Sequence, residues 1–134
     1  MMLKAGRVDV PVSIGELVDK ICILEIKAEK IEDGAKLDMV RRELEVLRKI
    51  LSDLALDSNP NLARLMKDLA VVNHELWNVE DRIRLKERNR IYDSEFIELA
   101  RAVYIKNDER SYLKQQINKE TGSELGEVKK YESY

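Results

Sequence analysis

The apolar positions of this chain recur at intervals of three and four along four long stretches. That is the period of an amphipathic α-helix, not the strict alternation of a strand. Ile14, Leu17, Ile21, Leu24, Ala28 and Ile31 keep the rhythm in the first stretch, and Leu37, Val40, Leu44, Leu47, Leu51 and Leu54 in the second. Leu62, Leu65, Leu69, Val72, Leu76, Val79 and Ile83 carry it through the third. The fourth is strongly apolar in its first half, around Phe96, Ala100 and Val103, and turns polar in its second. Helix punctuation falls between these stretches. Ser13-Ile14-Gly15-Glu16 has the form of a capping box, in which the Ser13 hydroxyl accepts from the Glu16 amide and the Glu16 carboxylate reaches back. Asp33 stops one helix and caps the next, Asn59 precedes Pro60 at a first helical position, Asp93 caps the fourth helix, and Gly122 follows its end. The prediction is an all-α fold over residues 1–134, with helices at 13–33, 34–56, 60–90 and 93–121. A short extended arm (1–12) precedes them, in which alternating Val8, Val10 and Val12 suit contact with the bundle. A polar tail (122–134) follows, with Tyr131 and Tyr134 as docking points. Short connections make neighbouring helices antiparallel, packed as a four-helix bundle with coiled-coil-like seams.

Some apolar residues lie off these seams. Met39, Val46 and Ile50 form a second, smaller stripe on helix 2, and Ile23 and Ile26 stand away from the main face of helix 1. A single bundle would leave them wet, which predicts self-association, a homodimer first of all. Coverage by the arm or the tail is the alternative.

Several charges fall on the wrong side of the helical wheel. At about 100° per residue, Glu25 sits within the apolar arc of helix 1, and Asn73, Glu80 and Arg84 within that of helix 3. Asn107, Arg110 and Lys114 occupy the inner face of helix 4. Two acids could therefore meet three bases, with two amides between them. Buried charges must pair, titrate to neutral, or surround water or a ligand. One reading is a salt-bridge network that fixes helix register. A second is a pocket for an anionic small molecule, with Arg and Lys holding carboxylate or phosphate and a glutamate as the acid-base candidate; a third is that a frayed or kinked helix end makes the wheel mislead.

Composition narrows the chemistry further. The 134 residues carry 24 Lys and Arg against 26 Asp and Glu, a formal charge of −2, so there is no global attraction to nucleic acid or to an anionic membrane. Arg82, Arg84, Lys86, Arg88 and Arg90 spread around their helix without forming a stripe, and read as cations favoured near a helix C-terminus. Cys22 and His74 are the only residues of their types, which excludes an internal disulfide and a Cys/His zinc site. Acidic pairs three apart (Glu16/Asp19, Glu29/Glu32, Glu95/Glu98) are what so acidic a chain produces by chance, so no metal and no cofactor is expected. No stretch approaches the ~20 uncharged apolar residues of a membrane span, and a cytoplasmic location is expected.

Longer strings carry a resemblance. They are Pro11-Val12-Ser13-Ile14-Gly15-Glu16-Leu17-Val18-Asp19-Lys20-Ile21 continuing to Lys27, Asn73-His74-Glu75-Leu76-Trp77-Asn78-Val79-Glu80-Asp81-Arg82-Ile83-Arg84, Glu95-Phe96-Ile97-Glu98-Leu99-Ala100-Arg101, and Gly122-Ser123-Glu124-Leu125 with Lys130-Tyr131. Across nearly its whole length the chain resembles a family of short bacterial all-helical proteins catalogued as a domain of unknown function. Gly34 departs from the proline expected at the start of helix 2. The resemblance implies a complete small bacterial protein and brings no activity or site residue with it. The expectation is a non-enzymatic, self-associating interaction or adaptor module. The alternative is a binder of, or small enzyme acting on, an anionic metabolite.

Overall fold

Each helix starts on a side-chain cap. Ser13 Oγ accepts from the Glu16 amide at 3.0 Å, Asp33 from Lys36 at 3.0 Å, Asn59 from Asn61 and Leu62 at 3.1 Å each, and Asp93 from Phe96 at 3.0 Å. These caps open α1 (Ile14–Lys30), α2 (Gly34–Asp53), α3 (Pro60–Arg88) and α4 (Ser94–Thr121) in a computed structural model that describes residues 6–134. The first two helices stop short of the predicted ends. Ile31 turns extended so that Asp33 can cap, and Ala55, at φ 52°, breaks the backbone beyond α2. Gly122 closes α4 in the left-handed conformation, at φ 64°.

α1 is the central element. Its Leu17, Ile21 and Leu24 pack with Val40 and Leu44 of α2, while Val18 and Cys22 pack with Leu62 and Leu69 of α3 and Ile117 of α4. A helix with two apolar faces must be covered on both sides. α2 lies along α1 and along no other helix; only Leu51, with Leu56 just beyond α2, reaches the second cluster. The bundle is therefore three helices, α1, α3 and α4, with α2 laid on the outer side of α1.

Cross-helix pairs fix the directions. Asn61 meets Glu120, Glu75 meets Lys106 and Arg82 meets Glu95, so α3 and α4 form a long antiparallel hairpin. Glu16 meets Lys114 and Asp19 meets Arg110, which sets α1 antiparallel to α4. At 1.5 Å per residue α3 is roughly 43 Å long and α1 roughly 25 Å. Because α1 begins level with the end of α4, the other end of the hairpin projects beyond it. Lys86 bridges Asp93 and Glu95 at that tip. Two members of the basic run, Arg82 and Lys86, are thus in cross-helix ion pairs.

Off-seam residues divide. Ile26 is buried on the same side of α1 as Gly15, Asp19 and Cys22, and Ile23 is half-buried. Neither is a free surface, because the second face of α1 is covered within the chain. Met39, Val46 and Ile50 remain exposed. The described part of the arm does not cover them, and Val8 and Val10 themselves face solvent, so the predicted contact between arm and bundle is absent among the described residues; positions 1–5 of that arm lie outside them. No helix among the described residues is long and apolar enough to cross a membrane.

The start of α1 is latched to the far end of the chain. The Ile14 amide donates to Ser123 Oγ at 3.1 Å and the Gly15 amide to Asn118 Oδ1 at 2.7 Å. With Ser13 on Glu16, these contacts satisfy donors that a helix start leaves unpaired. The approach leaves no room for a side chain, since a Cβ at Gly15 would lie 2.5 Å from the Lys114 carbonyl oxygen. Gly15→Ala should therefore destabilise the fold by about 1–3 kcal/mol in urea unfolding, because α1 and α4 must move apart. Gly34→Ala, where a Cβ meets nothing within 4 Å, should be neutral or stabilise by up to ~1 kcal/mol.

Candidate functional site

The polar centre of the molecule is Asp19, 1% exposed and inside the seam between α1 and the α3–α4 hairpin. Its Oδ1 accepts from Asn73 Nδ2 of α3 at 3.0 Å and from Arg110 Nε of α4 at 2.9 Å. Its Oδ2 accepts from Arg110 Nη2 at 2.5 Å, completing a two-pronged guanidinium–carboxylate pair. Arg110 Nη1 donates to Asn107 Oδ1 at 3.3 Å, and Asn107 is itself tied by its amide nitrogen to the Val103 carbonyl one turn back. One carboxylate thus joins three helices.

Lys114 lies one turn along α4 and is buried. Its ammonium donates to Glu16 at 2.6 Å and to Glu127 of the tail at 3.2 Å, and stands 4.0 Å from Asp19. Glu127 is also held by Lys129 at 2.8 Å. Burial works against the charge on Lys114, but Glu16, Asp19 and Glu127 outweigh it and raise its pKa above the ordinary value. Arg110 is raised as well, chiefly by its bonds to Asp19. Lys129 first and Lys114 second hold the Glu127 carboxyl below the usual range.

Of the seven residues read as inward-facing, Asn73, Arg110 and Lys114 converge here, and Asn107 orients Arg110 from the exposed side. Glu25, Glu80 and Arg84 do not join them. Glu25 is 46% exposed and pairs with Arg48 of α2 at 3.1 Å, because it sits on the boundary between the two covered faces of α1. Glu80 and Arg84 pair with each other at 3.4 Å along one turn, exposed, in the C-terminal half of α3. The acids that do meet the bases are Asp19, Glu16 and Glu127. Glu16 makes only half of the expected capping box, because its carboxylate is drawn to Lys114 instead of reaching back. The signal for Asp19 was the face Gly15, Asp19, Cys22 and Ile26, spaced four, three and four.

Above this cluster, α4 and the tail enclose a groove of about 780 Å³. Arg110, Lys114 and Ser111 form one side, and Lys129 and Tyr134 the other. Tyr134 docks by its ring edge on Tyr104, 5.2 Å between centroids, and by its hydroxyl on Asp108. Tyr131 stays exposed beside Lys129. Cys22 is buried, and burial first, then Glu25 and Asp19, pushes its thiol up to about 11, which keeps it protonated and unreactive at neutral pH. Among the described residues no three His, Cys, Asp or Glu side chains are grouped to hold a metal ion.

A family model described as "Family of unknown function (DUF6165)" matches residues 8–134. The chain belongs to that family. The matched DUF6165 span contains the whole cluster, from Glu16 to Glu127, together with the latch at Ser123. No curated protein and no solved structure matches the chain.

Two outcomes follow for this DUF6165 cluster. Asp19→Ala should cost about 3–5 kcal/mol in chemical unfolding, since it leaves Arg110 without its partner. Glu25→Gln and Glu80→Gln should stay within ~0.5 kcal/mol. The second outcome concerns pH. A carboxylate whose pKa is lowered by folding stabilises above its unfolded pKa and loses that contribution as pH falls through the folded value; a lysine raised by folding loses its contribution only as pH rises through its own. The side-chain chemical shifts of Glu127, Lys114 and Lys129 should therefore be steady around neutrality and move together on the acid side as Glu127 protonates.

Proposed function

We propose that this DUF6165 protein is a non-enzymatic helical module of the cytoplasm that pairs with a second copy of itself along α2 and serves in assembly or as an adaptor. The observation that carries this reading is the outer face of α2. Met39, Val46 and Ile50 are 67%, 40% and 42% exposed. With Leu54, also exposed, they run for roughly 22 Å of helix. α1 covers one side of α2, and no described residue of arm or tail covers the other.

The stripe suits a self-complementary contact. An antiparallel pairing with its twofold axis near Val46 sets Met39 opposite the second copy's Leu54 and Val46 opposite its counterpart. The cations of the Asp19 cluster already have carboxylate partners, which favours a structural role for its buried part. A single cysteine kept as a free thiol suits a reducing compartment.

Light scattering tests the reading. The wild-type protein should scatter as a dimer, and Val46→Glu, which sets two carboxylates against each other at the axis, should convert it to a folded monomer with unchanged helical circular dichroism. A wild-type monomer at the highest soluble concentration, or a Val46→Glu protein that stays dimeric, overturns it.

A further inference from the structure

The groove between α4 and the tail holds an organic anion of the chain's own. Glu127 presents one carboxylate oxygen to each of two lysines: Oε2 to Lys114 at 3.2 Å and Oε1 to Lys129 at 2.8 Å. The two holds differ in kind from those beneath them. Lys114 is anchored by Glu16 at 2.6 Å and stays in place whatever happens above it. Glu127 and Lys129 are substantially exposed, and an ion pair of that kind contributes about 0–1 kcal/mol, while the pair with buried Lys114, at 3.2 Å, is longer than the Lys114–Glu16 pair. The tail has two other holds, Ser123 on the Ile14 amide and the Asn118 carbonyl, and Tyr134 on Tyr104 and Asp108. Glu127 can therefore leave while the groove keeps its walls.

We propose that this groove is a binding site for a small monocarboxylate with a flat or hydrocarbon body, and that Glu127 is the built-in carboxylate such a ligand displaces from Lys114 and Lys129. The volume, about 780 Å³, is that of a small-molecule site. Tyr104, Tyr134 and Val103 supply apolar wall for the body of the ligand. Glu16, Asp108 and Glu132 also line the groove, and their charges disfavour a second anionic group on the ligand. The anion must carry two oxygens in a plane to replace Glu127 on both ammonium groups. This inference is separate from pairing along α2, which lies on the outer side of α1.

Removing the internal competitor is the test. A tethered carboxylate acts at an effective concentration of about millimolar or above, so its loss should tighten ligand binding by on the order of tenfold or more. Calorimetric titration with phenylacetate, acetate and sulfate would be made on wild type, Glu127→Gln, and Glu127→Gln combined with Lys129→Met. The expected result is phenylacetate binding at least ~10-fold tighter to Glu127→Gln than to wild type, with acetate weaker and sulfate weaker still. Adding Lys129→Met, at an exposed position that leaves the buried cluster intact, should abolish the gain. Equal affinity in wild type and Glu127→Gln, a gain that survives Lys129→Met, or sulfate binding as tightly as phenylacetate would each overturn the proposal.

Discussion

The two-pronged contact between Asp19 and Arg110 holds the molecule in register. A carboxylate with 1% exposure cannot be left to itself, because removing it from water without partners costs several kcal/mol. Arg110 supplies two donors and Asn73 a third, and they come from the two helices that must lie against α1. A shift of either helix by one turn would strand the charge. The pair adds little net stability over an apolar substitute of similar shape, but it penalises every alternative alignment of three apolar seams that could otherwise slide.

The rest of the architecture follows from α1 having two occupied sides. One side carries leucines and isoleucines and takes α2. The other carries Gly15, Asp19, Cys22 and Ile26 and takes the hairpin. Small residues at Gly15 and Cys22 let α1 settle close to α3 and α4, close enough for Asn118 to cap its first turn. That proximity places Glu16 and Lys114 beside each other, and Lys114 in turn gives the tail something to hold. The seam, the latch and the groove are thus successive consequences of one close approach.

Much of this could be read from the residues in order. The caps at Ser13, Asp33, Asn59 and Asp93 are local chemistry, and heptad-like spacing is visible without knowing what a helix faces. The assignment of charges was less legible. A wheel centred on Ile14, Val18 and Ile21 averages over two separate faces and so draws Glu25 inward. It puts Asp19 more than a quarter turn away, on a face whose small members do not register as apolar. Glu80 and Arg84 were misplaced as well, and the structure pairs them with each other along one exposed turn of α3. Arg110, Lys114 and Asn73 were legible because each falls on the line that the apolar residues of its helix define. Glu127 lies in a polar tail with no periodicity, and nothing in its neighbourhood marks it as a partner of Lys114.

The latch at Ile14 and Gly15 also bears on how the chain assembles. Its partners lie 109 and 103 positions later, and the partner of Asp19 in Arg110 lies 91 positions later. During synthesis, at ~5–20 residues per second, those groups emerge roughly 5–20 s after α1 does. α1 and α2 can form a helical hairpin at once through Leu17, Ile21, Leu24, Val40 and Leu44, while the opposite side of α1, Asp19 included, waits in water. Until α3 and α4 arrive, water solvates the Asp19 carboxylate, and in the finished protein Arg110 and Asn73 take the place of that water.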